Sequence, residues 1–154
     1  MPSGEPRGPR APTRPGLRPA GPGSPSAAGR AGGTVGDGEP VEHRLYARIA
    51  WSTLDGLPLV APRHTLSVEA RIITLCRRLD VEPMEVRARP DRVDVLIRLK
   101  PVHTPGEVAA RVKAGAGEHL VAGGTAVRWA RGVAMATVEP DAVRDLMRRM
   151  ALLT

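Results

Sequence analysis

Pro90-Asp91-Arg92-Val93-Asp94-Val95-Leu96-Ile97-Arg98-Leu99 is the stretch from which the rest of the chain is read. Val93, Val95, Ile97 and Leu99 share one parity, and Arg92, Asp94 and Arg98 share the other, together with Leu96. Alternation with period two over eight residues predicts a half-buried β-strand. One face builds a core. The other presents Arg92 and Asp94 side by side, so any function is expected on that second face.

Working outward, Val81 to Arg89 reads as a shorter strand in which Met84, Val86 and Ala88 alternate with Glu85, Arg87 and Arg89. Pro90-Asp91 supplies the turn between the two strands, which are expected to pair antiparallel. Upstream, Glu42 to Thr53 reads as a first strand, with His43, Leu45, Ala47, Ile49 and Trp51 on one parity and Arg44, Tyr46 and Arg48 on the other. Asp55-Gly56 marks a turn, and Pro58 and Pro62 are expected to keep the following stretch irregular. A helix is predicted over 65–79, with an apolar stripe of Leu66, Ala70, Ile73, Cys76 and Leu79. Cys76 on that stripe reads as a small core residue.

Downstream, Lys100-Pro101 ends the organising strand. Thr104-Pro105-Gly106-Glu107 has the residue types of a capping box with proline in the first turn. The helix it opens is expected to run to about Leu120, turning Val108, Ala109, Val112 and Ala116 inward and Arg111 and Lys113 outward. Gly115 and Gly117 weaken its last turns and permit close approach by another backbone or a ligand. After a loop at Gly123-Gly124, Val127 to Arg131 holds Trp129 between Arg128 and Arg131. Val133 to Val138 reads as a fourth strand. Pro140 begins a last helix with Val143, Leu146, Met147 and Met150 inward and Arg144, Arg148 and Arg149 outward. The order β-α-β-β-α-β-α predicts an α/β (α+β) domain of the ferredoxin-like class: an open antiparallel sheet of about four strands with helices packed on it.

Composition sets the bounds. Residues 1–40 contain nine of the sixteen prolines and ten of the seventeen glycines, with no apolar periodicity. They are expected to form a disordered Pro/Gly/Arg-rich tail, functional or set before the true start, ahead of a folded domain at 41–154. The tail lacks the apolar core of a signal peptide, and no run approaches the eighteen apolar residues of a membrane span. A single cysteine excludes an intrachain disulfide and a cysteine-rich zinc cluster, and it fits a reducing cytoplasm. His43, His64, His103 and His119 show no ligand spacing, so neither metal nor cofactor is expected. The formal charge of +7 comes almost wholly from arginine. It fits an anionic partner such as nucleic acid, and equally a solubilising surface.

These pieces, in this order, resemble the single-tyrosine HUH transposases of bacterial insertion sequences, including the REP-associated tyrosine transposases. The resemblance runs from about His43 to Met150. Ala50-Trp51-Ser52-Thr53 is similar to the end of the family's opening strand, and Val81-Glu82-Pro83-Met84-Glu85-Val86 to the strand before its motif. Pro90-Asp91-Arg92-Val93-Asp94-Val95-Leu96-Ile97 stands where the family has Pro-Asp-His-Val-His-Leu-Leu-Val. Val112-Lys113 resembles the helix after the motif. Trp129-Ala130-Arg131-Gly132, followed by Thr137-Val138, resembles a Trp-x-x-Gly-Tyr strand.

The resemblance implies a metal held by two histidines at i and i+2 of one strand, and a tyrosine on the last helix that attacks a phosphate of single-stranded DNA. Here Arg92 and Asp94 replace the histidines, Leu146 replaces the tyrosine, and Met150 the following glutamine. Guanidinium has no lone pair for a metal. The only tyrosine is Tyr46, on the first strand. The implied function is therefore a catalytically inactive, transposase-like protein that binds single-stranded or hairpin DNA, cytoplasmic and homodimeric. The alternatives are an active DNA transposase with displaced catalytic residues and a protein-interaction remnant. The expected nucleic-acid contacts are Arg92, Arg98, Arg111, Lys113, Arg128, Trp129 and Arg131. Trp129 fits both a core position and a base-stacking platform. Arg92 and Asp94 fit both an exposed salt bridge and a fixed positive charge for a phosphate.

Overall fold

A computed structural model describes residues 44–153. The tail at 1–40, and Glu42 and His43 of the predicted first strand, lie outside them. Four strands form one sheet: β1 (Leu45–Ser52), β2 (Glu82–Ala88), β3 (Arg92–Leu99) and β4 (Ala134–Val138). Its order is β2-β3-β1-β4, and every pairing is antiparallel. Three helices complete the domain, α1 (Pro62–Arg78), α2 (Pro105–Ala122) and α3 (Val143–Ala151). The ferredoxin-like arrangement expected from the element order is the one observed.

β3 is central, and its two parities face two different cores. Val93, Val95, Ile97 and Leu99 join Ala47, Ile49 and Trp51 of β1 in the larger core, which α1 and α2 cover with Val68, Ile72, Cys76, Val108, Val112, Ala116 and Leu120. On the other face Leu96 and Tyr46 pack with Val143 and Met150 of α3, flanked by Met84, Val138, Leu146 and Met147. Since α3 is only nine residues long, it covers part of this face.

Several local expectations are corrected. Pro62 does not keep its stretch irregular; it sits in the first turn of α1, where its missing N–H has no intrahelical partner to lose. The predicted stripe holds in its second half, where Cys76 is buried and Ile73 and Leu79 pack against the core, and fails in its first half, where Leu66 and Ala70 are exposed. Val68, Ile72 and Cys76 are buried, whereas Leu66 is 75% exposed. Both sets satisfy a 3.6-residue period, so periodicity alone leaves the phase open. In β2 the register shifts between Pro83 and Glu85, a bulge at the strand's proline. Met84 therefore packs with the second core while Val86 and Ala88 stay in the first. The capping box is not formed: Thr104 makes no side-chain cap, and its carbonyl accepts from the amides of Glu107 and Val108.

The two helical glycines are places of close approach, as expected, with side chains as the neighbours. A Cβ on Gly115 would meet Leu75 Cδ1 at 2.6 Å, and one on Gly117 would meet Trp129 Nε1 at 2.8 Å.

Candidate nucleic-acid interface

The uncovered part of the second sheet face lies at the end where β3 begins. Ala50 and Arg87 stand opposite Asp94 on the flanking strands, and Ser52 stands opposite Arg92. Asp94 is wholly buried. Its Oδ1 accepts from Arg48 Nη2 at 2.8 Å and from Arg92 Nη2 at 3.0 Å. Its Oδ2 accepts from Arg89 Nη2 at 3.1 Å and lies 3.0 Å from Arg92 Nε. One arginine thus comes from β1, one from β3 and one from the turn after β2, and all converge on a single carboxylate.

The exposed-salt-bridge reading of Arg92 and Asp94 is thereby corrected. Three N–H groups hydrogen-bond to this carboxylate, and the Arg92 Nε stands beside it as an ion-pair contact without a hydrogen bond of its own. Burial alone would raise the Asp94 pKa; the hydrogen bonds and charges of Arg48 and Arg92 outweigh it and hold the carboxyl below its ordinary value. The arginine side chains keep 33% (Arg48), 30% (Arg89) and 40% (Arg92) of their surface exposed. With one negative and three positive charges, the group carries a net excess of two. Neighbouring Arg87 pairs with Glu85 at 2.8 Å.

A divalent metal does not fit these residues. Metal ligands need free lone pairs, which Arg92 lacks, and Asp94 lies wholly buried beneath three guanidinium cations that would repel the ion. Among the described residues, no three of His, Cys, Asp and Glu come together as a ligand group. His103 is held by its backbone neighbours: its Nδ1 accepts from the Lys100 amide at 3.0 Å and its Nε2 lies 3.0 Å from the Leu79 carbonyl. His64 and His119 line one cleft without a third ligand.

The remaining predicted residues scatter. Arg98 sits at the other end of β3 and pairs with Glu82 at 2.8 Å. Lys113 reaches the carbonyls of Ala130, Arg131 and Gly132, the last two at 3.2 and 3.0 Å, and so ties α2 to the entry of β4. Burial lowers its pKa, although those three carbonyls favour the ammonium form. Trp129 packs edge-on against Trp51, with ring centroids 6.0 Å apart at 89°, so its core reading is the one the packing supports. Arg111, Arg128 and Arg131 are exposed. Leu146, expected from the resemblance to stand where the tyrosine would be, packs on the same sheet face as Arg92 and Asp94, within the core under α3. Tyr46 is buried in that same core, 8% exposed.

Arg92 also borders a shallow cleft of about 400 Å³ lined by Ala50, Trp51, Ser52, Ala130, Gly132, Val133 and Ala134. Two backbone contacts hold its walls together: the Ala130 amide donates to Ser52 at 2.9 Å, and the Leu54 amide to Arg128 at 2.7 Å.

Sheet order and helix placement are those of a transposase-like fold. Two solved structures share it. A candidate transposase from Deinococcus radiodurans R1 superposes with a TM-score of 0.60 at 12% identity, covering 76% of this chain and 96% of that one. A REP-associated tyrosine transposase, bound to a REP hairpin, superposes with a TM-score of 0.55 at 10% identity, covering 73% of this chain and 67% of that one. No protein-family model matches the sequence, and no curated protein matches it. At 10–12% identity the likeness carries the fold alone.

Proposed function

We propose that this protein is a transposase-like DNA-binding protein that binds single-stranded or hairpin DNA without cleaving it. One observation carries the reading. In a fold shared with a hairpin-bound transposase, the positions that resemble the family's metal ligands hold Arg92 and a buried Asp94 paired with three arginines. A face that would have attracted a cation instead carries excess positive charge, the charge type that backbone phosphates seek. The tyrosine that the resemblance implies is not supplied either: Leu146 is a hydrocarbon, and Tyr46 is buried beneath α3.

The contacts we assign are to phosphates, which give affinity and register more than sequence readout. Arg92, Arg111, Arg128 and Arg131 remain candidates on this basis. Arg98, Lys113 and Trp129 would need to leave the partners described above. The cytoplasmic, bacterial and homodimeric character implied by the resemblance is part of the same proposal. No helix among the described residues is long and apolar enough to cross a membrane.

Fluorescence anisotropy of the full chain tests the reading, with a labelled DNA hairpin and a scrambled strand across a salt series. Hairpin-selective binding with no metal-dependent nick is the expected result. A metal-dependent nick would restore the active-transposase reading. Absence of any DNA binding by a cooperatively folding chain would favour a protein-interaction role.

A further inference from the structure

We infer that Arg48, Arg89 and Arg92 form a preorganised, metal-independent seat for one backbone phosphate of single-stranded DNA, with Asp94 as the positioning residue that holds them together. The inference rests on the DNA-binding reading and locates its central contact.

Three guanidinium groups repel one another and, left alone, would spread into solvent. Here three separate segments deliver them to one point because a carboxylate lies beneath. The vertical order of charge matters most. Asp94 is inaccessible, whereas each arginine keeps about a third of its surface in solvent. A ligand arriving from outside meets guanidinium and never the carboxylate. Each guanidinium carries five N–H groups, and Asp94 uses at most two from any one of them. The Nε–H of each arginine is buried and makes no hydrogen bond, so it is the Nη N–H groups left over by Asp94, on side chains a third exposed, that can donate to phosphate oxygens.

The surroundings suit a nucleic-acid strand better than a compact ion. The cleft beside Arg92 has no acidic side chain in its lining, and Ala50, Ala130, Gly132 and Ala134 leave room for a chain to pass. The Ser52 hydroxyl, opposite Arg92, adds a neutral donor. The acids on the neighbouring segments are Glu85, paired with Arg87, Asp91, exposed at the turn, and Glu69 of α1, which shares a cleft with Arg89 and accepts from the Ala88 amide at 2.8 Å. Binding forms and breaks no covalent bond: the phosphate is held and not activated.

The test measures anisotropy of a labelled single-stranded oligonucleotide with the full chain across a potassium chloride series. It compares Arg92→Gln, Ala134→Glu and, as a control of equal charge change on the far side of the domain, Arg78→Gln. Arg92→Gln and Ala134→Glu should each weaken binding by about tenfold, the worth of one charge-assisted contact. Arg92→Gln should also lower the salt slope by about 0.7. Arg78→Gln should stay within about twofold of the parent. Because residue 134 is exposed, Ala134→Glu keeps the test alive if Arg92→Gln fails to fold. If both site variants match Arg78→Gln while the parent binds, the seat is wrong and the DNA-binding reading survives. If the parent binds no strand, the reading beneath fails and the seat with it. Displacement of the strand by inorganic phosphate at constant ionic strength would mark a free-phosphate site and overturn the choice of ligand.

Discussion

Replacing Asp94 with Asn keeps the shape of the side chain and removes its charge. Three arginines would then surround a neutral amide, half of whose polar atoms are donors facing donors. At an effective dielectric of about 20, each Arg–Asp pair attracts by about 4 kcal/mol at about 4 Å between charge centres. Three such attractions are offset by three repulsions among the arginines and by the desolvation of a wholly buried carboxylate. Breaking a buried pair by removing one partner costs about 3–5 kcal/mol. Because each arginine keeps a third of its surface in water, the lower end applies, about 3 kcal/mol. Urea unfolding followed by far-UV circular dichroism reads this as a midpoint lowered by about 2 M, for an m-value near 1.5 kcal/mol/M. The sign with pH is also fixed. The folded carboxyl has a lowered pKa, so its contribution is fully present above the unfolded value of about 3.9 and is lost as pH falls through the folded value. The gap between parent and Asp94→Asn should therefore close in that acid range. A midpoint shift below about 0.3 M at neutral pH, or a gap that does not close in acid, would refute the reasoning.

Gly117→Ala should destabilise by about 1 kcal/mol, because a helix-propensity gain near 1 kcal/mol is outweighed by about 2 kcal/mol of overpacking against the rigid Trp129 ring. Intrinsic tryptophan fluorescence should shift with it; Gly115→Ala, facing the flexible end of Leu75, should leave that signal unchanged. Cys76 is fully buried, and burial pushes its thiol up to about 11. Ellman's reagent should therefore label it only on unfolding, and labelling of the folded chain at neutral pH would contradict the packing. Lys113→Met should strip the carbonyls of Ala130, Arg131 and Gly132 of their shared donor. The expected cost is about 1–3 kcal/mol, with faster amide exchange in the segment entering β4.

The alternation of β3 was enough to place Arg92 and Asp94 on the face away from the main core, and the element order was enough for the sheet. What the sequence did not show was convergence. Arg48 and Arg89 both sit on the polar parity of their strands, so the signal existed. It becomes a site only when β1 and β2 flank β3, a fact of sheet order that periodicity within one strand does not contain. The burial of Asp94 follows from the same cause, since a central strand is enclosed by neighbours on both sides. Lys113 was read as outward because its Cβ points off the apolar stripe, yet its long stem reaches back to three carbonyls. The phase of α1 was undecided because Leu66 and Val68 begin equally good helical repeats. In β2 the bulge at Pro83 reversed Met84 alone, and a proline inside a strand pattern was its visible warning.

If the position that resembles a metal site serves as an anion site, as proposed, DNA binding needs no metal. Single-stranded DNA affinity of the full chain is measured in EDTA and then in Mn²⁺ at matched ionic strength. The account predicts equal affinity in both, a linear loss of log affinity with log salt, and intact DNA throughout. Binding that appears only with Mn²⁺, or cleavage of the strand when the metal is added, would contradict it.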